Sequence, residues 1–135
     1  VYYEDTDAGG VVYHANYLRF AERARTEALR DLGVPHAQLA EAHGLIFMVQ
    51  RAKLDYLAPA RLDDLLTIAT SLLALRAASA VLRQVVLCGA RRLAEAEIGL
   101  VCVRRADLRP ARIPGPWRSA LAGLMDETAV DEQES

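Results

Sequence analysis

The sequence predicts an α+β protein in which one long helix packs on an antiparallel sheet, and three observations predict it. A 3.6-residue apolar period runs from Asn16 to Leu32, a period-two alternation takes over after Gly44, and the later strand candidates are joined by connections short enough for hairpins. The 135 residues, 53% of them hydrophobic and 25% charged, suffice for one domain with a real core and exclude a disordered chain.

Along the chain, Tyr17, Phe20, Ala21, Ala24, Ala28 and Leu32 form the apolar stripe of the helix, with Arg19, Glu22, Arg23, Arg25, Glu27 and Arg30 between them. Gly33 is placed to cap it in the left-handed conformation, and Pro35 forbids its continuation. A second short helix is expected over Pro35 to Ala42. Ala52, Leu54 and Tyr56 alternate with Arg51, Lys53 and Asp55 as a half-buried strand, which Leu57-Ala58-Pro59-Ala60 breaks. Leu65 to Leu75, Ala80 to Cys88 and Leu93 to Val103 are three more strands. In the last, Ala94, Ala96, Ile98, Leu100 and Cys102 are set against Glu95, Glu97 and Gly99. Trp117, Ala120, Leu121 and Leu124 fit one face of a docking helix after Pro114-Gly115-Pro116. The expected organisation is a single domain over residues 1–125, followed by an acidic, solvated tail over 126–135.

Composition narrows the function classes. The net charge is −2, and the last ten residues hold five acids and no base, leaving 16 bases and 13 acids in the rest. Neither balance gives the dense basic stripe of a duplex nucleic-acid binder, so no nucleic-acid partner is expected. Fifteen of the bases are arginines, scattered along the chain, which leaves local pockets for small anions open. Cys88 and Cys102 lie inside apolar runs, with neither a metal spacing nor a disulfide framework, and read as buried reduced thiols. No apolar run reaches the roughly 18–20 residues of a membrane span, and the first residues lack a signal pattern; the expectation is a cytoplasmic protein.

The chemistry concentrates at the start. In Tyr3-Glu4-Asp5-Thr6-Asp7-Ala8-Gly9-Gly10-Val11-Val12-Tyr13-His14-Ala15-Asn16-Tyr17 a strand ends, two glycines allow a tight turn, and the main helix begins within a few residues. A carboxylate therefore stands beside a helix N-terminus, whose free N–H groups and dipole suit an oxyanion developing from a carbonyl. Two readings stand at this level. Asp5 or Asp7 can simply cap a turn and His14 can be a packing or capping residue, or the group can be a catalytic site. A metal site from Asp5, Asp7 and His14 has no second ligand cluster to support it, so no metal is expected.

Residues 3–27, with the spacing Asp-x-Asp-x-x-Gly-x-Val-x-His-x-x-Tyr within them, resemble the opening motif of the 4-hydroxybenzoyl-CoA thioesterase-like hotdog family. The acyl-CoA thioesterases associated with the bacterial Tol-Pal gene cluster are the most similar group within it. Lys53 to Asp64 and Leu93 to Arg105 resemble later segments of that family, so the resemblance extends to about Pro114. It implies a hotdog fold, a long helix wrapped by a five- to six-stranded antiparallel sheet, assembled as a homodimer or homotetramer with sites at the dimer interface. It also implies hydrolysis of acyl-CoA or acyl-carrier-protein thioesters, without a cofactor other than the coenzyme A of the substrate. Carried over by position, Asp7 is the catalytic carboxylate, the His14 backbone N–H polarises the thioester carbonyl, and Gly10 sets the backbone geometry. Tyr13 and Tyr17 are the candidate substrate-binding side chains. A thiol leaves readily as its anion, so one carboxylate and an oxyanion site can suffice. The competing reading is a non-catalytic module that binds acyl thioesters or acyl-carrier protein; a dehydratase fits poorly, because its His–Glu pair is not matched by this Asp-led motif.

Overall fold

The computed structural model describes residues 14–58, 65–126 and 128–133. The long helix, α1, spans His14–Asp31, and α2 spans His36–His43. Four long strands follow, β1 (Leu45–Tyr56), β2 (Leu66–Leu75), β3 (Ser79–Cys88) and β4 (Arg91–Arg104), then α3 (Gly115–Asp126) and β5 (Ala129–Gln133). The sheet is antiparallel throughout in the order β1-β4-β3-β2-β5, and α1 lies against it.

The end of α1 follows from local backbone chemistry. Gly33 sits at φ 81°, its N–H donates to Arg30 O at 3.0 Å, and the Val34 N–H reaches back to Leu29 O at 2.9 Å. These are the paired bonds of a Schellman cap, and the accompanying apolar contact is present because Val34 and Leu29 are both buried in one cluster. Gly44 closes α2 in the same left-handed region, at φ 65°. The strands then alternate as their sequences require. In β4, Ala94, Ala96, Ile98, Leu100 and Cys102 are buried, while Glu97 is exposed and Glu95 and Gly99 half-buried. Trp117, Leu121 and Leu124 dock α3, and the His43 ring of α2 stands edge-on to Trp117 with centroids 5.3 Å apart.

The structure departs from the sequence reading in five places. Residues 129–133 are not a solvated tail: they form β5, whose Ala129 to Gln133 pair with Thr70 to Leu66 of β2. Acidic side chains do not prevent this, because the ladder is made by main-chain groups of an edge that would otherwise stay unpaired. Arg25, read as polar-face, is buried at 8% exposure; it follows Ala21 by four residues and precedes Ala28 by three, which places it on their face. Conversely Leu32 is exposed at the end of α1, and Ala52 is exposed because β1 is an edge strand that leaves the covered part of the sheet. Cys102 is buried as expected, but Cys88 is only half-buried; both are free thiols.

Replacing Gly33 by alanine should cost about 1 kcal/mol, because open space surrounds the Cβ but the left-handed backbone penalises it. Urea denaturation should show the lower midpoint at unchanged slope.

Candidate active site

Of the residues singled out in the sequence, Asp7, Gly10 and Tyr13 lie outside the described residues. His14 is the first residue of α1, so its backbone belongs to the helical turn whose N–H groups lack intrahelical acceptors. No acidic residue occupies that first turn, and the positive end of the helix dipole is not neutralised by the helix itself. An 18-residue helix carries the full terminal effect.

One turn further, Tyr17 points into the protein and is 1% exposed. Its ring meets Tyr56 of β1 at 5.5 Å between centroids with planes at 61°, and Phe20 at 6.4 Å with planes at 81°, both edge-on arrangements that aromatic quadrupoles favour. Leu66, Ile68, Val86, Leu93 and Ala94 complete a buried apolar cluster beneath this half of the helix. Tyr17 is thus part of a packed aromatic cluster one turn from the helix start. Tyr56 was read only as a strand residue; its signal is the phase it shares with Leu54 just before the strand breaks at Leu57.

Farther along α1 the interior turns polar. Arg25 Nη1 donates to Gln84 Oε1 of β3 at 2.7 Å, and Gln84 Nε2 donates to Ala21 O at 2.8 Å and to Thr70 Oγ1 of β2 at 2.9 Å. Gln84 and Thr70 are buried at 0% and 1% exposure. Burial pulls the Arg25 guanidinium below its ordinary range, against the opposing charge of Glu22. The network could have been found in the sequence: Gln84 shares strand parity with Leu82 and Val86 and so must face the core. It separates the Tyr17 cluster from a second, larger cluster that includes Leu39, Leu82, Ile98, Leu100, Trp117 and Leu121.

Beside this network a cavity of about 300 Å³ opens between α1 and the sheet, with Arg25, Thr70, Leu82, Leu100 and Leu124 among its walls. His36 stands at its rim, packed on Phe47 with ring centroids 6.1 Å apart. Partial desolvation at the rim, and then the Arg25 charge, hold the exposed His36 below the usual imidazole value. A larger concavity, about 440 Å³, lies on the sheet where Gly99 leaves room beside Arg51 and Arg76, away from the start of α1. Several other cations are paired or exposed. Arg83 pairs with Glu95 and Arg104 with Asp107, lowering both carboxyls, while Lys53, Arg105 and Arg109 are exposed. Among the described residues no group of three or more His, Cys, Asp or Glu side chains gathers to hold a metal, and no helix is long and apolar enough to cross a membrane.

Comparison with known proteins agrees with this geometry. The model of the thioesterase-like superfamily matches residues 1–122. The acyl-CoA thioesterase YbgC of Haemophilus influenzae is 42% identical over 124 residues, 92% of this chain and 91% of the relative. The acyl-CoA thioester hydrolase YbgC of Escherichia coli O157:H7 is 46% identical over 115 residues, 84% of this chain and 85% of the relative. The 1,4-dihydroxy-2-naphthoyl-CoA thioesterase from Synechocystis superposes with a TM-score of 0.85 at 26% identity, over 94% of this chain and 93% of that one.

Two outcomes check the electrostatics beneath the helix. Gln84→Leu strands the Arg25 donor and the buried Thr70 hydroxyl and should destabilise by about 2 kcal/mol in urea titrations, more than a surface Gln→Leu change. The depressed His36 value stabilises the fold above the unfolded imidazole pKa, near 6.5, and this contribution fades as pH falls below it. Denaturation midpoints should therefore drop between pH 7.5 and 5.5 by more in the wild type than in His36→Gln.

Proposed function

The chain belongs to the thioesterase-like superfamily and has its hotdog fold, and from that premise we propose that it cleaves acyl-CoA thioesters with Asp7 as catalytic carboxylate and the His14 N–H as oxyanion donor. It is a thioester hydrolase, as its relatives are. What supports the site assignment is the start of α1: a helix N-terminus at His14 with no acidic residue in its own first turn, followed one turn later by the buried Tyr17–Tyr56 aromatic wall.

The carbonyl oxygen of the thioester accepts from the His14 N–H, and Gly10 allows the chain to turn close to it without a side chain intervening. Two routes lead to the same products. In one, Asp7 takes a proton from water as the water oxygen bonds to the carbonyl carbon; negative charge develops on the carbonyl oxygen, and collapse of the adduct expels the coenzyme A thiolate. In the other, an Asp7 oxygen bonds to the carbonyl carbon, the thiolate leaves, and water hydrolyses the resulting anhydride, restoring the carboxylate. Both routes require Asp7 as the carboxylate, either to accept the proton of water or to attack the carbonyl carbon. Neither route calls for a cofactor. Tyr13 and Tyr17 line the acyl side, and acyl-carrier-protein thioesters, which offer the same reacting group, are the second candidate substrate.

The assembly belongs to the same reading. β1 is an edge strand twelve residues long, with Met48 39% and Val49 50% exposed, a surface that invites pairing with a second copy. A homodimer or homotetramer working in the cytoplasm, associated with the Tol-Pal gene cluster as the family resemblance implies, follows from this proposal.

Asp7→Asn tests it. Thiol release from acyl-CoA substrates of short, long and aromatic chains should fall by roughly 10³-fold or more, while acyl-CoA binding, circular dichroism and oligomeric state stay unchanged. A wild type that binds these thioesters yet frees no thiol from any of them would overturn hydrolysis in favour of a binding module.

A further inference from the structure

The cavity beside Arg25 has no role in the reaction as proposed. It lies eleven residues along α1 from His14, roughly 16 Å at 1.5 Å per residue, and the packed Tyr17–Phe20 cluster occupies the helix–sheet interface toward His14. Its walls combine the aliphatic side chains of Leu29, Leu82, Leu100 and Leu124 with the polar groups of Glu22, Arg25, His36 and Thr70. Its volume, about 300 Å³, is roughly twice the ~150 Å³ of an apolar cavity that takes up benzene. Into this space the fold places Arg25, a residue only 8% exposed.

That placement is expensive for a purely structural bond. Among the described residues, the guanidinium's hydrogen bond is the single one to the neutral Gln84 amide oxygen, so no anion is hydrogen-bonded to it there. Glu22, three residues earlier on α1, contributes opposing charge from an exposed position at the rim, and His36, the other titratable rim group, adds no anion. A buried cation without a hydrogen-bonded anion is a deficit that a bound carboxylate removes, since the planar fork matches two carboxylate oxygens.

We propose that this cavity is a binding site for a small amphiphilic monocarboxylate, the carboxylate held by Arg25 and an aliphatic or aromatic body of about eight carbons lying against Leu82, Leu100 and Leu124. An apolar body excludes inorganic phosphate as the matching ligand, and the chemistry is that of a free carboxylic acid, the class of product that thioester hydrolysis releases. The site does not depend on how the thioester is cleaved, because its residues are separate from Asp7 and His14.

Calorimetric titration of the intact oligomer with octanoate, and with octan-1-ol as a neutral control, tests this. Octanoate should bind at least about tenfold more tightly than octanol, and Arg25→Met should remove that preference while still filling the helix–sheet space. Ala28→Leu, which keeps a good helix former and extends into the cavity, should weaken octanoate by a similar factor with Arg25 intact. Thiol release by Ala28→Leu should match the wild type. Equal affinity for octanol and octanoate, or octanoate binding untouched by Ala28→Leu, would overturn the carboxylate site. Loss of thiol release together with octanoate binding in Ala28→Leu would make the cavity the acyl pocket and overturn its separateness.

Discussion

The structure turns on how one helix is held against the sheet by a buried amide. Gln84 accepts from Arg25 and donates to the Ala21 carbonyl, both on α1, and to Thr70 on β2, so a single side chain on β3 ties the helix to two adjacent strands. Apolar packing presses α1 on the sheet without fixing its rotation or its position along its own axis; directional bonds at the centre of the interface fix both. The helix N-terminus at His14 is aimed by that registration from almost three turns away. Around the bridge the core is divided, with aromatic packing of Tyr17, Phe20 and Tyr56 on the side of the helix start and aliphatic packing with Trp117 on the other.

This division gives the two ends of the helix different chemistry. At the start, N–H groups without intrahelical acceptors and a first turn without acidic residues suit a transient oxyanion. Near the middle, Arg25 faces a cavity with aliphatic walls and suits a permanent anion with a hydrocarbon body. Both are positive sites under one helix, but one is made of backbone and sits where the chain enters, whereas the other is a side chain that the fold keeps from water.

Much of this was legible in the residues. Hairpin-length connections gave the antiparallel order of β2, β3 and β4, Gly33 and Pro35 gave the end of α1, and the alternation of β4 gave its buried face almost residue by residue. The motif from Asp7 to Tyr17 pointed to the helix start, where the structure places His14 and Tyr17; Asp7, Gly10 and Tyr13 lie outside the described residues. What escaped depended on partners distant in sequence. Arg25 looks like one more solvated charge until Gln84, 59 residues later, is seen across from it, and Asp131 and Glu132 look like a tail until the free edge of β2 is seen to need a neighbour. Edge strands obscure the pattern from the other direction: β1 alternates in sequence, yet most of it is exposed on both faces because little covers it.

The backbone amide of His14 is where the functional reading is most exposed to refutation. Adding a ketone analogue of an acyl-CoA, with a methylene in place of the thioester sulfur, should shift the His14 amide proton downfield in ¹⁵N-resolved spectra and slow its exchange with water, as a carbonyl oxygen takes up its free donor. An analogue that binds, shifts amides elsewhere and leaves His14 unmoved and freely exchanging would contradict an oxyanion site at the start of α1.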